Sequence, residues 1–460
     1  MKSNSKEIDM LHGPLLKKIL VFALPLALSS MMQQLFNSID VAVVGHFASR
    51  EALAAVGSNG PVINLLINLF IGVSMGATVV ISNHIGQRDD NSTKKAISTA
   101  AFVAVASGIF LMFLGFMAAK PILELIDTPE DVLDLAELYL RIYFCGMPFL
   151  MVFNFAAAIL RSIGDTKRPL YILIAAGVVN ALLNLLLVVV FHMSVAGVAI
   201  ATCIANAISA TLIVRILISE AEPYKLDVKG IRVEWKELKR MLQIGVPAGI
   251  QGMIFSFSNV LMQSAINGYG SAAIAGSAAA LNYECYCYFI VAAFSGAAIS
   301  FVGQNYGAGN MLRVKRIYWI CMALSFALCC ISNLLIAWQH DLCLSAFSTD
   351  GEVLDYGSRR MMVVLTTQWI ACSYEISGAA LRGMGRSMLP TLITIVGTCL
   401  LRIFWIFVVA RHWHGFQTLM GIYPVSWMIT GCMMLTALYL TFRKWNARSC
   451  IKENQIQQKQ

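Results

Sequence analysis

Three carboxylic acids lie deep inside long apolar stretches of this 460-residue chain. They are Asp40 in MMQQLFNSIDVAVV, Glu284 in LNYECYCYFI and Glu375 in IACSYEIS. A charged group in apolar surroundings costs free energy unless it is paired, protonated or used in function. Each of these acids is therefore a candidate for binding a cation, exchanging a proton or holding two helices together.

Asp40 lies at the end of a stripe of polar residues that begins at Ser29, about three helical turns earlier. Ser29, Gln33, Asn37 and Asp40 follow one another at spacings of four, four and three residues, which places them on one side of a helix. The residues between them are largely apolar. We expect the polar side to face a cavity or another helix rather than lipid, and Asp40 to carry a function.

Amide and hydroxyl oxygens recur at helical spacing in two later apolar stretches. They belong to Asn180 and Asn184, and then to Thr202, Asn206 and Ser209. Such oxygens beside Asp40 suit either a bound sodium ion or hydrogen bonds to a carboxyl group that takes up a proton. The alternative is that they only tie helices together, as polar side chains do in membrane bundles.

The other two acids lie close to aromatic or basic residues. A carboxylate beside tyrosine rings suits an organic cation, through charge and cation–π contact. The predicted substrate cleft comprises Gln33, Asn37, Tyr283, Glu284, Tyr288 and Glu375. For Glu375 the alternative is an ion pair with a basic residue at its helix end, near Arg382. Arg402 is also deep, and we expect it to be the counter-ion of one of the acids.

The composition predicts an integral membrane protein. Hydrophobic residues make up 58% of the chain and charged residues 13%, with a mean hydropathy of +0.71. Soluble domains carry about 25% charged residues, so this chain cannot build an ordinary polar surface. We interpret the net charge of +9 as a topology signal and expect lipid, not nucleic acid, as a partner. Most of the twelve cysteines lie in apolar runs and are interpreted as packing residues.

Twelve apolar segments are each long enough to cross a bilayer. They lie near 17–47, 53–83, 96–119, 134–160, 168–191, 194–218, 241–267, 275–302, 315–338, 355–381, 389–411 and 417–442. The first is too long for the apolar part of a signal peptide, so we predict that it is a retained span.

Lys and Arg are concentrated on one side of the predicted membrane topology. Most of the 34 Lys and Arg fall at the N-terminus, in every second connection and in the C-terminal tail. The predicted outer exceptions are Arg50, Lys120, Arg359, Arg360 and Arg411. By the positive-inside rule, both termini are predicted to be cytoplasmic in a multi-pass protein of the cell inner membrane.

The second half of the chain repeats the first. LRSIGDTKRP starts at Leu160 and LRGMGRSMLP at Leu381, while Pro25 is followed by Pro247 at 222 residues. The fold class predicted is an all-α integral membrane protein with twelve transmembrane helices in two six-helix lobes. Because each half has an even number of spans, the repeat is parallel, with its pseudo-two-fold axis along the membrane normal.

The predicted domains follow from this duplication. They are an N-terminal lobe over 1–218, a cytoplasmic linker over 219–240, a C-terminal lobe over 241–443 and a cytoplasmic tail over 444–460. In folds of this kind the substrate binds between the lobes near the midplane, and the lobes rock to give alternating access.

Enzyme signatures do not occur in the sequence. It contains no HExxH, no GxSxG and no GxxxxGK[ST], so we expect no catalytic residues, no bound metal and no cofactor. Without a nucleotide site, the energy for transport would come from an ion gradient, and a membrane carboxylate is the natural coupling group.

Nearly the whole chain resembles the MATE (multidrug and toxic compound extrusion) family. The resemblance rests on Pro25 with Asp40, on the two LR…P phrases, and on VVNALLNLLLV, AGVAIAT, GVPAGIQ and VGQNYGAG. It implies a twelve-helix, monomeric antiporter that exports small organic cations or drugs in exchange for Na⁺ or H⁺. The alternative is a related flippase for lipid-linked oligosaccharides, whose phosphates need a basic cavity.

The resemblance also implies a cation site in the first lobe, at Asp40, Asn180, Asn184 and Thr202. Some members carry an aspartate at the position of Asn184, so the chain has one carboxylate fewer there. Some carry a glutamate at the position of Phe255, and we hypothesise that Glu284 takes over part of that role.

Overall fold

The computed structural model describes residues 8–125, 128–413 and 415–457, and within these ranges the chain is helical with no strand. A helix satisfies its own backbone hydrogen bonds, which is what a chain surrounded by hydrocarbon requires. The prediction of an all-α membrane protein is confirmed.

The first half of the chain forms seven helices, which cover six of the predicted spans. They are α1 Leu15–Phe47, α2 Arg50–Gln87, α3 Asp90–Leu125, α4 Glu130–Cys145, α5 Met147–Ile163, α6 Lys167–Asn184 and α7 Ser194–Ser219. α4 and α5 together correspond to the single span predicted near 134–160, and they meet at Gly146 with a bend of 47°. A π-helical turn, Leu185–Val190, extends α6.

The second half repeats this arrangement with more interruptions. Its helices are α8 Trp235–Asn267, α9 Ser271–Gly307, α10 Met311–Trp338, α11 His340–Ser345, α12 Gly351–Leu365, α13 Ala371–Gly383, α14 Met388–Thr394, α15 Leu401–Phe404, α16 Ala410–His412, α17 Phe416–Met420 and α18 Ile422–Gln457. The π turns Ile395–Leu400 and Trp405–Val409 join α14, α15 and α16 into one span.

Ten helical segments in the described part of the chain are long and apolar enough to cross a membrane, and the bent α4–α5 pair makes an eleventh. The remaining predicted span, near 355–381, is formed by α12 and α13 with a 3₁₀ turn at Gln368–Ile370 between them. All twelve predicted segments are therefore helical.

The repeated LR…P phrases form equivalent turns. Gly164 follows α5 with φ of +98°, and Gly385 follows α13 with φ of +79°. This left-handed conformation closes a helix and favours glycine. Pro169 and Pro390 then lie in the first turns of α6 and α14, where a missing N–H leaves no helical hydrogen bond unmade.

The chain divides into two compact units. The first consists of Met1–Phe257 with Ile299–Lys315, and the second of Ser258–Ala298 with Arg316–Gln460. Parts of α8, α9 and α10, which belong to the second repeat in sequence, thus pack into the first unit. The lobe boundaries predicted from the duplication stay a prediction.

Glycines set how closely α2 approaches α8 and α9 within the first unit. A Cβ on Gly72 would collide with the backbone nitrogen of Gly249, and a Cβ on Gly86 would collide with the carbonyl oxygen of Gln304. Backbones approach this closely only where the side chain is a hydrogen atom.

Connections that the charge pattern assigns to one face of the membrane contact one another in the first unit. Lys94 near the start of α3 pairs with Glu222 in the linker, with Nζ 2.7 Å from Oε2. Asn305 near the end of α9 donates to the Met10 carbonyl oxygen at 3.1 Å. His84 near the end of α2 lies 2.8 Å from Glu237 in the first turn of α8. These segments therefore lie at one end of the unit.

Candidate functional site

α1 and α6 bring Asp40 and Asn184 together. The half-buried Asp40 accepts a hydrogen bond from the side-chain amide of Asn184, which is fully buried at the last position of α6. The π turn Leu185–Val190 follows at once. Such turns shift the backbone hydrogen-bond register and are frequent at functional sites.

Asn180 and Thr202 extend this pair into a group of four residues, which we call the polar ring. Asn184 Nδ2 also lies 3.3 Å from Asn180 Oδ1, and Asn180 Nδ2 donates to Thr202 Oγ1 at 3.3 Å. The Thr202 hydroxyl also lies close enough to Asp40 to interact with its carboxyl group. The four residues named as the cation site thus meet, from α1, α6 and α7, within the first unit.

The ring offers the ligands that a hard cation needs. Asn184 Oδ1 is buried and has no hydrogen-bond partner in the described structure, which leaves an acceptor available to a cation or a proton donor. Carboxylate, amide and hydroxyl oxygens suit Na⁺, and the same oxygens can hold a protonated carboxyl group. The residues present therefore fit either coupling ion.

Two tyrosines that the sequence analysis did not identify lie beside the polar ring. Tyr139 and Tyr143 stack in α4 with ring centroids 5.8 Å apart, and both interact electrostatically with Asp40. Their spacing of four residues in a predicted span was the available signal.

Gln33 and Asn37 stay outside this ring. Both are exposed on α1, with Gln33 about two and Asn37 about one helical turn before Asp40, on the same side of the helix. Their membership of a substrate cleft stays a prediction.

Glu284 is not an open carboxylate. Its two oxygens accept from Arg360 Nε at 2.7 Å and Nη2 at 2.9 Å, and both side chains are at least 94% buried. The Gln368 side chain donates to the Glu284 carbonyl oxygen at 3.0 Å. A substrate cation would have to displace a buried, bidentate arginine, so this geometry argues against direct cation recognition by Glu284. Arg360, expected in an outer connection, is instead buried in α12.

Arg402 has partners other than a carboxylate. Its Nη1 donates to Asn259 Oδ1 at 3.0 Å, and its guanidinium lies 4.8 Å from the centre of the Tyr423 ring. Arg360 lies 5.8 Å from the same ring. The counter-ion of Glu284 is therefore Arg360 and not Arg402.

The remaining predicted cleft residues separate into different contacts. Tyr288 donates to Glu375 Oε1 at 2.8 Å, and the Arg382 guanidinium interacts electrostatically with both. Tyr283 donates to the Cys343 carbonyl oxygen at 3.0 Å and packs edge-on against Phe347. Tyr283, Glu284 and Tyr288 thus share α9 but do not form one cluster.

Buried charge in the second unit is therefore more basic than acidic. Three arginines are buried there with two acids close by, and these residues are Arg360, Arg382, Arg402, Glu284 and Glu375. Arg360 lies near the start of the span predicted at 355–381, which is why it was expected in an outer connection.

Comparison with known proteins identifies the family. A sequence profile of the MatE family matches residues 25–186 and again residues 247–408. The two matches begin 222 residues apart, the separation of Pro25 and Pro247, and this doubled match agrees with the duplication.

Curated relatives and solved structures agree with this match. The probable multidrug resistance protein YoeA of Bacillus subtilis (strain 168) is 29% identical over 383 residues, which are 82% of each chain. The probable multidrug resistance protein YpnP of the same organism is 26% identical over 459 residues, covering 97% of this chain and 100% of YpnP. A crystal structure of MATE in the bent conformation has a TM-score of 0.89 at 18% identity, covering 96% of this chain and 98% of that one, which shows the same fold.

The family profile covers well over half of the sequence and occurs once in each repeat. The chain therefore belongs to the MatE family and is a multi-pass membrane transporter protein of that family.

Proposed function

We propose that this protein exports small organic cations in exchange for Na⁺ or H⁺, with Asp40 as the coupling carboxylate. The single observation that carries the proposal is the ring of Asp40, Asn184, Asn180 and Thr202, in which the buried Asn184 Oδ1 has no partner in the described structure. The multidrug relatives support a drug-like substrate.

Loading of the coupling ion would act on the Asp40–Asn184 contact. With Asp40 ionised, Asn184 presents its amide N–H to the carboxylate. A bound Na⁺ repels that N–H and attracts Oδ1, and a protonated Asp40 likewise needs an acceptor. Either ion therefore favours reorientation of the Asn184 amide and removes the hydrogen bond that joins α1 to α6.

Pro25 would allow α1 to respond. It lies buried inside α1, and its carbonyl oxygen accepts from the Ser29 hydroxyl at 2.8 Å. Proline lacks the N–H that would continue the helical ladder, so bending at this point costs less than elsewhere. Bending or repacking of α1 on ion loading would weaken substrate binding, so that the two exchange.

We further propose that the protein is monomeric in the cell inner membrane, with both termini in the cytoplasm. The contacts among the N-terminal segment, the linker and the end of α9 support one common side for these connections. The excess of Lys and Arg in them supports the cytoplasmic side.

Dye efflux from reconstituted vesicles, with Na⁺ and H⁺ gradients imposed separately, tests the coupling. We expect one of the two gradients to drive export by the wild type and Asp40→Asn to lose that drive. Asp131→Asn, an exposed carboxylate in the first turn of α4, is the matched control and should export as the wild type. Full gradient-driven export by folded Asp40→Asn would refute the proposal.

A second candidate substrate class carries an acidic group, and includes the lipid-linked oligosaccharides of the alternative function. The observation that favours it is the excess of buried arginine over acid in the second unit. Arg402→Gln distinguishes the two classes. Selective loss of anionic substrates would support this candidate, and unchanged selectivity between anionic and cationic substrates would remove it.

A further inference from the structure

The segment that precedes α1 is held in place by hydrogen bonds to its backbone groups. Residues 8–13 form a short strap, in which the Asp9 carboxylate closes a turn by accepting from the backbone N–H of Leu11 at 2.9 Å and of His12 at 3.2 Å. Lys18 of α1 donates to the carbonyl oxygens of Asp9 at 2.6 Å and of His12 at 2.7 Å. These contacts join the strap to its own repeat.

Two side chains of the second repeat hold the same strap. Asn305 near the end of α9 donates to the Met10 carbonyl oxygen at 3.1 Å. Arg313 in the first turn of α10 donates to the carbonyl oxygens of His12 and Gly13, each at 3.0 Å. Backbone carbonyls that accept from an arginine form charge-assisted hydrogen bonds, which are stronger than neutral ones.

Packing adds to these hydrogen bonds. Met10 is 1% exposed, although it lies only five residues before the start of α1. On the other side, the Ile8 carbonyl oxygen would lie 2.6 Å from a Cβ on Gly164, so the strap fits against the α5–α6 turn. A cavity of about 460 Å³ lies beside it, lined by Leu11 and His12 and by the ends of α2 and α9.

We propose that the strap is a latch that ties the α5–α6 turn and α1 to the α9–α10 turn, and that it must leave Asn305 and Arg313 before these ends of the two repeats can separate. The latch rests on the proposed alternating access, since it restrains the opening of the end at which it lies. The cavity gives the released strap space to move. Every contact that carries it lies within the first unit.

Disulfide cross-linking in reconstituted full-length protein tests the latch. Met10→Cys with Asn305→Cys joins the strap to the second repeat, whereas Asp9→Cys with Lys18→Cys joins it only to its own repeat. In the first pair we expect oxidation to lower the transport rate at least tenfold and a reductant to restore it. The second pair should transport equally well when oxidised and when reduced. Equal transport by the first pair, oxidised and reduced, overturns the proposal.

Labelling of Met10→Cys with a maleimide gives a second measurement that does not depend on transport. Arg313→Ala should raise the labelling rate about tenfold, and Arg316→Ala, an exposed arginine on the same helix, should leave it unchanged. If the wild type transports no substrate, the proposed function is wrong, and the latch is then tested by the labelling rate alone. An unchanged rate in Arg313→Ala then refutes the latch.

Discussion

Asn184 joins two helices through one amide nitrogen, which donates to the Asp40 carboxylate of α1 and also lies 3.3 Å from Asn180 Oδ1 within α6. The oxygen of the same amide is buried without a partner in the described structure. Because the amide nitrogen of Asn184 is hydrogen-bonded and its oxygen is not, the amide can reorient when the charge of Asp40 changes.

Asn184→Ala removes both the amide nitrogen and the amide oxygen of this side chain. A hydrogen bond to a charged group contributes about 1.5–3 kcal/mol, so we expect gradient-driven export to fall by about 10- to 100-fold. Efflux rates at saturating substrate measure this effect. Asn154→Ala, which removes a half-buried amide bonded to the Leu150 carbonyl oxygen, is the control and should change export less than twofold.

Asn184→Asp places a second carboxylate beside Asp40. Two like charges at this distance repel, and a bound cation relieves the repulsion. We therefore expect the variant to gain more thermal stability from added Na⁺, or from lowered pH, than the wild type does. Melting temperatures in detergent across a Na⁺ and a pH series measure this gain. A gain no larger than that of the wild type would contradict Asn184 as a cation ligand.

Glu284→Gln tests the ion pair with Arg360. Removing one partner leaves a buried charge without compensation, so the free energy of unfolding should fall by about 3–5 kcal/mol. The double variant Glu284→Gln/Arg360→Met should recover most of this loss. Arg359→Gln breaks the exposed pair with Asp355 and should cost at most about 1 kcal/mol.

The same variants separate stability from substrate recognition. Because Glu284 is bound by Arg360, export of cationic and neutral substrates should fall together in Glu284→Gln. Loss restricted to cationic substrates would show that Glu284 binds the substrate charge directly.

Gly86→Ala tests the close approach of α2 and α9. Its Cβ would meet the Gln304 carbonyl oxygen, so we expect a loss of about 1–3 kcal/mol in the free energy of unfolding. Gly60→Ala on the same helix has open space at its Cβ and should stabilise α2 by up to about 1 kcal/mol. Chemical unfolding in detergent compares the two.

The polar ring was accessible from the sequence, and the ion pairs of the second unit were not. Asp40, Asn180, Asn184 and Thr202 stand out because polar residues at helical spacing are conspicuous in apolar spans. Arg359 and Arg360 are adjacent and look alike, yet successive residues on a helix point about 100° apart. One is exposed and the other buried, and only the packing of α12 decides which.

Longer-range features could not be predicted for the same reason. The strap depends on contacts between Met10 and Asn305, which lie 295 residues apart, and backbone carbonyls leave no signature in a sequence. The turns at Gly164 and Gly385 were predictable, because the repeat marks them and a left-handed turn favours glycine.

Ion movement driven by substrate tests the central claim most directly, because coupling between two sites is reciprocal. In vesicles without an ion gradient, an imposed substrate gradient should move Na⁺ or H⁺ in the opposite direction through the wild type, and Asp40→Asn should move none while it still binds substrate. Equal ion movement through Asp40→Asn and the wild type would contradict Asp40 as the coupling carboxylate.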